Sequence, residues 1–294
     1  FINGDHGGKP WLLSINIFDP HPPYDPPKDY RDRIDASKLP LPKWKEGELD
    51  NKPDYYRTDY EEGSQGGTGP CAKDFSDEVK RQLVADYYAQ IEHIDARLKD
   101  LFEALEKSGQ LDNTIVLYHS DHGEMCGDHG LYWKGAYSYE ELLHVPMIFA
   151  WKGHIAENLK STALVELVDI APTLLELAGI EIPYYMQGRS LAPILLGRAD
   201  PSVHKDAVHS EYYYAMPGIH EYYISIYFDG RYKIAVHHNE EISELYDLKN
   251  DPDEYDNLWG KPEYAALQAE YVKKCFDLTV MDTMDPRPRA IRYF

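Results

Sequence analysis

The chain has 294 residues, 43% of them hydrophobic, which allows a sizeable core in one large domain or in one medium and one small one. Its 30 basic against 51 acidic residues leave a formal charge of −21, which argues against nucleic acid or an anionic membrane as a partner and otherwise serves solubility. Three cysteines, Cys71, Cys126 and Cys275, do not suggest a disulfide framework, and no apolar run approaches the length of a membrane span.

The opening residues carry no signal-peptide pattern, but they do not begin with methionine either, so the sequence assigns no compartment. Residues 9–18, Lys9 to Phe18, read as a strand. It runs into Asp19-Pro20-His21-Pro22-Pro23-Tyr24, a proline-stiffened loop. Residues 25–75 have little periodicity and read as a long irregular excursion, with Gly63–Gly69 as its expected mobile piece. From Ser76 the pattern predicts a helix. Ser76 can cap it, Asp77 and Glu78 suit its positive end, and Tyr87, Ile91, Ile94, Leu98, Leu101 and Leu105 recur at steps of three and four. Gly109 closes it. A buried strand follows at Thr114–Tyr118 and another at Pro146–Trp151. A further helix is expected over Asp169–Leu177, with Pro172 in its first turn and Gly179 after it. This alternation predicts an α/β fold, a mostly parallel sheet flanked by helices.

After about residue 200 the texture changes. Short aromatic strands appear at Ala207–Tyr214, Tyr222–Tyr227 and Tyr232–Val236, with Asp229-Gly230 turning between the last two. Glu244–Leu248 and a helix from Pro262 to about Leu278 complete a small antiparallel α+β subdomain. The expected division is therefore 1–200 and 201–294.

Between the two central strands lies the segment that carries the chemistry. Ser120–Glu124 reads Ser-Asp-His-Gly-Glu, and Gly127–Gly130 reads Gly-Asp-His-Gly. Lys134-Gly135, Tyr139–Glu141 and Val145-Pro146 follow. Asp121 and His122 offer an oxygen and a nitrogen to a divalent metal at a strand end, where ligands bind in open α/β sheets. Lys134 could return a positive charge to the same place. Each residue alone has a plainer reading: a turn aspartate, a loop histidine, a solvated lysine. Five pieces in register are much harder to reach by chance.

In that register the segment resembles the sulfatase family of the alkaline-phosphatase-like superfamily. Pro20–Tyr24 matches a Pro-His-x-Pro-aromatic turn of the same family, and Val168–Leu174 and Gln187–Leu191 are similar to it as well. The resemblance implies an alkaline-phosphatase-like fold lacking its first portion. It also implies metal-assisted hydrolysis of a sulfate monoester. Asp121 and His122 would be metal ligands, for calcium first, with manganese or zinc as alternatives. Lys134 would hold a sulfate oxygen and the nucleophile's oxygen. His21 would protonate the leaving oxygen or hydrogen-bond to sulfate. Asp128 and His129 either line the entrance or buttress the glycine loop, and the buttress is favoured. Glu140 and Glu141 read as structural, and Arg189 as part of a fold-closing ion pair.

The family's nucleophile, a formylglycine made from the first residue of Cys/Ser-x-Pro/Ala-x-Arg, has no counterpart in the sequence. Cys71 is followed by Ala72-Lys73-Asp74, without the required proline or alanine and arginine. The nucleophile and further aspartate ligands are therefore expected upstream of Phe1, and the metal site is expected to be incomplete in this chain. Uncovered apolar surface would then favour self-association. The natural substrate could be an aryl sulfate, a sulfated sugar or a small alkyl sulfate. A phosphonate or phosphate ester hydrolase and a non-catalytic binding remnant are the alternative readings.

Overall fold

The computed structural model describes residues 1–4 and 6–283. Its helices of eight or more residues are α1 (Asp54–Glu62), α2 (Asp77–Lys107), α3 (Ile170–Leu177) and α4 (Ala265–Thr283). Its strands are β1 (Val116–His119), β2 (Met147–Ala150), β3 (Val208–Tyr213), β4 (Tyr223–Phe228), β5 (Tyr232–His237) and β6 (Glu244–Asp247).

α2 begins where the sequence places it. The Ser76 hydroxyl accepts from Val79 N–H, and Gly109 takes the left-handed conformation just after the helix, at φ 69°. Its buried face differs from the expected stripe. Ile94 and Leu105 are buried, but Ile91 is exposed, and Ala85, Asp86, Ala89 and Gln90 fill the rest of the face. The Gln90 amide donates to the Pro23 carbonyl at 3.5 Å, and Arg31 reaches in to pair with Asp86.

The first of the two sheets departs from expectation in direction, and the second is antiparallel as expected. β1 and β2 form a two-stranded antiparallel pair, with Val116 opposite Ala150 and His119 opposite Met147. β3 to β6 form a four-stranded antiparallel sheet in sequence order. Among the described residues no strand pair is parallel, so the mostly parallel sheet is not seen. The predicted strand over residues 9–18 is also not formed, and none of the described strands pairs with it. Most of its side chains stand in solvent, with Leu12 86% exposed, while Trp11 and Leu13 are partly buried.

Residues 25–75 prove more ordered than their composition suggests. They contain α1, and the Gly63–Gly69 stretch is held in place rather than free. Ser64 N–H donates to the Pro70 carbonyl, and Tyr132 N–H donates to the Ser64 hydroxyl at 2.8 Å. Gly63 sits at φ 114°, and a Cβ there would come within 2.6 Å of the Gly69 carbonyl oxygen.

The four-stranded sheet is covered on both faces. Tyr227, Ile234 and Leu245 pack against Tyr271 and Cys275 of α4. Ile224, Ile226 and Ala235 point the other way, by the two-residue alternation of a strand, into a core with Tyr55 and Tyr56 of α1 and with Met125, Leu131, Ala136 and Tyr139. The loop between β1 and β2 thus shares one core with α1 and the C-terminal sheet.

Candidate active site

The antiparallel pairing of β1 and β2 brings the two ends of the 120–146 loop together. Gly123 N–H donates to the Leu142 carbonyl at 2.9 Å and Glu124 N–H to the Glu141 carbonyl at 3.1 Å. Gly123 must be glycine, since a Cβ would lie 1.8 Å from the Glu141 carbonyl oxygen. Deeper in, Met125 N–H donates to the Trp133 carbonyl and Gly127 N–H to the Leu131 carbonyl. The loop is therefore a folded-back ribbon, with Asp121-His122 at its open end and Lys134 on the returning arm.

Asp121 and His122 stay at the surface. Their side chains are 85% and 40% exposed, and His122 Nε2 lies 3.8 Å from Asp121 Oδ2. His122 Nδ1 is 2.7 Å from its neighbour's carbonyl oxygen, at Gly123, and must carry the ring proton to bond there. Nε2 is then the bare nitrogen. An oxygen and a nitrogen donor at that separation can share one ion, given metal–ligand distances of roughly 2.0–2.6 Å. Among the described residues no group of three or more His, Cys, Asp or Glu side chains converges for a metal. The pair therefore fits as part of a coordination shell and not as a whole one.

Lys134 and His21 meet. The lysine Nζ contacts His21 Nε2, although the two residues come from loops far apart in sequence. His21 Nδ1 lies 2.8 Å from the Pro22 carbonyl oxygen, which again places the proton on Nδ1 and leaves Nε2 to receive the ammonium. Burial pushes the Lys134 pKa down, against the opposing pull of Glu124 and Asp121. Glu124 is itself pushed up by burial. Lys134 thus lies within electrostatic reach of Asp121.

Asp128 and His129 turn away from this group. Asp128 Oδ1 accepts from Lys43 N–H at 2.6 Å, and His129 N–H donates to the Lys43 carbonyl at 2.7 Å. The buried His129 ring stacks on Tyr139 with its Nδ1 2.7 Å from Glu48 Oε2. Glu140 pairs with buried Lys233, and Glu141 with Lys43, both at 3.0 Å. His144 is exposed and pairs with Glu140 at 3.4 Å. Arg189 closes the fold by donating to the His204 carbonyl rather than through the expected ion pair.

Sequence reasoning gave no role to Asp59, Gln65 or His220. All three are buried beside the Lys134–Tyr137 segment. Asp59 sits on α1 in a stretch without apolar periodicity, and His220 precedes a strand in an aromatic run. Only tertiary pairing marks them.

Two family models match the chain. One described as sulfatase spans residues 1–180, and one described as N-sulphoglucosamine sulphohydrolase, C-terminal, spans residues 127–280. An arylsulfatase of Clostridium perfringens is 33% identical, covering 93% of this chain and 54% of its own length. An N-acetylglucosamine-6-O-sulfatase of Bacteroides thetaiotaomicron is 36% identical over 66% of this chain and 35% of its own length. Among solved structures, a phosphonate monoester hydrolase from Silicibacter pomeroyi superposes with a TM-score of 0.78 at 27% identity. That match covers 90% of this chain and 55% of the other. The chain spans about half the length of such relatives, or less. Its structural neighbours have the alkaline-phosphatase-like fold of helices and sheets, and the family generally uses a divalent metal and a formylglycine mechanism. With the sulfatase model matched over more than half of its residues, the chain belongs to the sulfatase family.

Proposed function

We propose that this chain is the later part of a sulfuric ester hydrolase whose substrate is a sulfated sugar. The observation that carries this reading is the contact of Lys134 Nζ with His21 Nε2 beside the exposed Asp121–His122 donor pair. A fixed cation next to an imidazole suits a tetrahedral anionic ester. Lys134 would hold a sulfate oxygen as a point charge. His21, with Nδ1–H committed to Pro22, would work through Nε2. Once protonated there, it can hydrogen-bond to sulfate or hand the proton to the leaving oxygen. Asp121 and His122 would supply part of the shell of a divalent ion, calcium first. Such an ion polarises ester oxygens and stabilises developing negative charge. The nucleophile would be the family's formylglycine, supplied from outside this sequence.

The sugar is favoured because one relative is named as an N-acetylglucosamine-6-O-sulfatase and one matching family model as an N-sulphoglucosamine sulphohydrolase. The expected parallel sheet belongs to the same reading. β1 and β2 would lie in it, and the exposed Leu12, Ile17 and Ile148 are surface it would cover. A chain presenting that surface would self-associate.

A second reading rests on the similarity to a phosphonate monoester hydrolase, since a tetrahedral phosphorus ester presents the same oxygens to the same cation. The test is to compare the complete protein's rates on matched nitrophenyl sulfate and phenylphosphonate esters, then on sulfated glucosamines. Faster sulfate turnover, with glucosamine sulfates accepted, supports the first reading. A phosphonate preference supports the second. Binding without turnover of either leaves a non-catalytic module.

A further inference from the structure

Two side chains from distant parts of the sequence grip the backbone on either side of Lys134. On one side, Gln65 Nε2–H donates to the Lys134 carbonyl at 2.6 Å. On the other, Ala136 N–H donates to His220 Nδ1 at 3.1 Å. Gly135, between them, lies against the imidazole so closely that a Cβ would come within 2.5 Å of His220 Nδ1.

Both grips lead back to one carboxylate. Asp59 Oδ1 accepts from Gly66 N–H at 2.9 Å, which fixes the left-handed turn at Gln65, φ 57°. Asp59 Oδ2 lies 2.8 Å from His220 Nε2 and accepts the Tyr137 hydroxyl proton. An amide N–H can only donate, so His220 Nδ1 must be bare and the ring proton sits on Nε2, which faces Asp59 Oδ2 as a close electrostatic pair rather than as an aligned hydrogen bond. Asp59 and His220 are almost completely buried. Burying a carboxylate and an imidazole costs more than filling the space with apolar groups. That cost is intelligible if the pair sets something apolar residues cannot set.

We propose that Asp59 and His220 are positioning residues for Lys134. Through Gln65 and the Ala136 amide they fix the backbone on both sides of the lysine, and so the point where its ammonium meets the ester anion. The proposal rests on the reading of Lys134 as the anion-holding cation. Lysine is a flexible point charge, and misplacing a reacting group by about 1 Å can cost a hundredfold in rate.

The test is steady-state kinetics of the complete protein on a nitrophenyl sulfate ester, with thermal unfolding measured alongside. His220→Asn keeps an oxygen acceptor near the place of Nδ1. His220→Gln reaches toward Asp59 instead and leaves the Ala136 amide without an acceptor. The expected result is a kcat within about threefold of wild type for His220→Asn and a fall of about a hundredfold for His220→Gln, with KM changing less than kcat in both. Equal losses that simply follow the two melting temperatures would show a purely structural residue and overturn the proposal. Lys134→Ala runs beside them. If it is inactive while His220→Gln is fully active, the positioning role alone fails. If it keeps full activity, the reading of the site fails and the proposal with it. Should neither His220 variant fold, Gly135→Ala carries the test, because its methyl must displace the ring. Unchanged kcat in that variant would overturn the proposal.

Discussion

The two arms of the 120–146 loop are held in different ways. Asp121 and His122, on the outgoing arm, make their side-chain hydrogen bonds within the loop itself. Ser120 Oγ donates to the His122 carbonyl, Asp121 Oδ1 accepts from His122 N–H, and His122 Nδ1–H donates to the Gly123 carbonyl. On the returning arm, from Lys134 to Glu141, the partners come from elsewhere in the chain. Asp59, Gln65 and His220 hold its start. The Tyr55 hydroxyl donates to the Ala136 carbonyl, the Ser138 hydroxyl donates to Glu244, and Glu140 N–H donates to Glu254 at 2.8 Å. The cationic arm is thus organised by the tertiary fold. The donor pair on the other arm has only local support and gains most from whatever ion binds it.

The contrast can be broken most severely at Glu244. This carboxylate is fully buried and bound by Lys52 at 3.2 Å, by His237 and Tyr56 at 2.8 Å and by Ser138. Burial alone would push its pKa up, but Lys52 and the hydrogen bond with His237 hold it well below the usual carboxylate range. Glu244→Ala strands the Lys52 charge and should cost about 3–5 kcal/mol in urea unfolding. A loss under about 1 kcal/mol would mean that the network does not anchor the arm.

A smaller effect is expected from Glu140. Burial pushes its carboxyl up, but His144 and Lys233 outweigh this and hold it at about 2, against an ordinary 4.5. A depressed carboxylate contributes stability that is present above about 4.5 and lost as pH falls toward about 2. Glu140→Gln should therefore remove on the order of 2 kcal/mol near neutral pH and flatten the stability curve in that acid window. An unchanged slope would contradict the assignment. His144, pushed up by the same carboxylate, adds a weaker opposite window, present at low pH and lost as pH rises through its own titration. Its exposure keeps that contribution small.

The smallest change in stability should come from the other arm. Asp121→Ala is expected to move unfolding by no more than about 0.5 kcal/mol without metal, as for most exposed positions. Calorimetric titration with calcium should nevertheless show weaker binding in that variant than in wild type. A large loss of metal-free stability with unchanged calcium affinity would reverse the roles assigned to the two arms.

The parts of the fold that were legible in the sequence are those with local signals. Ser76 and Gly109 bracket α2 because caps act within a turn of the helix end. The β4–β5 hairpin could be read from Asp229-Gly230, where Asp229 Oδ1 accepts from Arg231 and Tyr232 N–H and Gly230 takes φ 90°. Asp121, His122 and Lys134 stood out only through the resemblance of their segment to the sulfatase family, five motif pieces in register. What was missed depends on partners distant in sequence. The direction of β1 against β2 is set by pairing that no alternation encodes, since either direction buries the same side chains. Lys9–Phe18 has strand composition but pairs with none of the described strands. Gln65 and Gly66 looked mobile because glycines carry no periodic signal, yet Asp59 and Lys134 hold them.

The most direct measurement of the central claim is kcat/KM of the complete protein on a nitrophenyl sulfate ester for wild type and for Lys134→Ala, with melting temperatures recorded for both. Lys134 uses its ammonium on His21 and, in this account, on the substrate anion, so its removal should leave folding nearly intact. It should lower kcat/KM by about a hundred- to a thousandfold. Full activity in a folded Lys134→Ala protein would show that the arm so firmly held by the fold does not carry the cation that works on the ester.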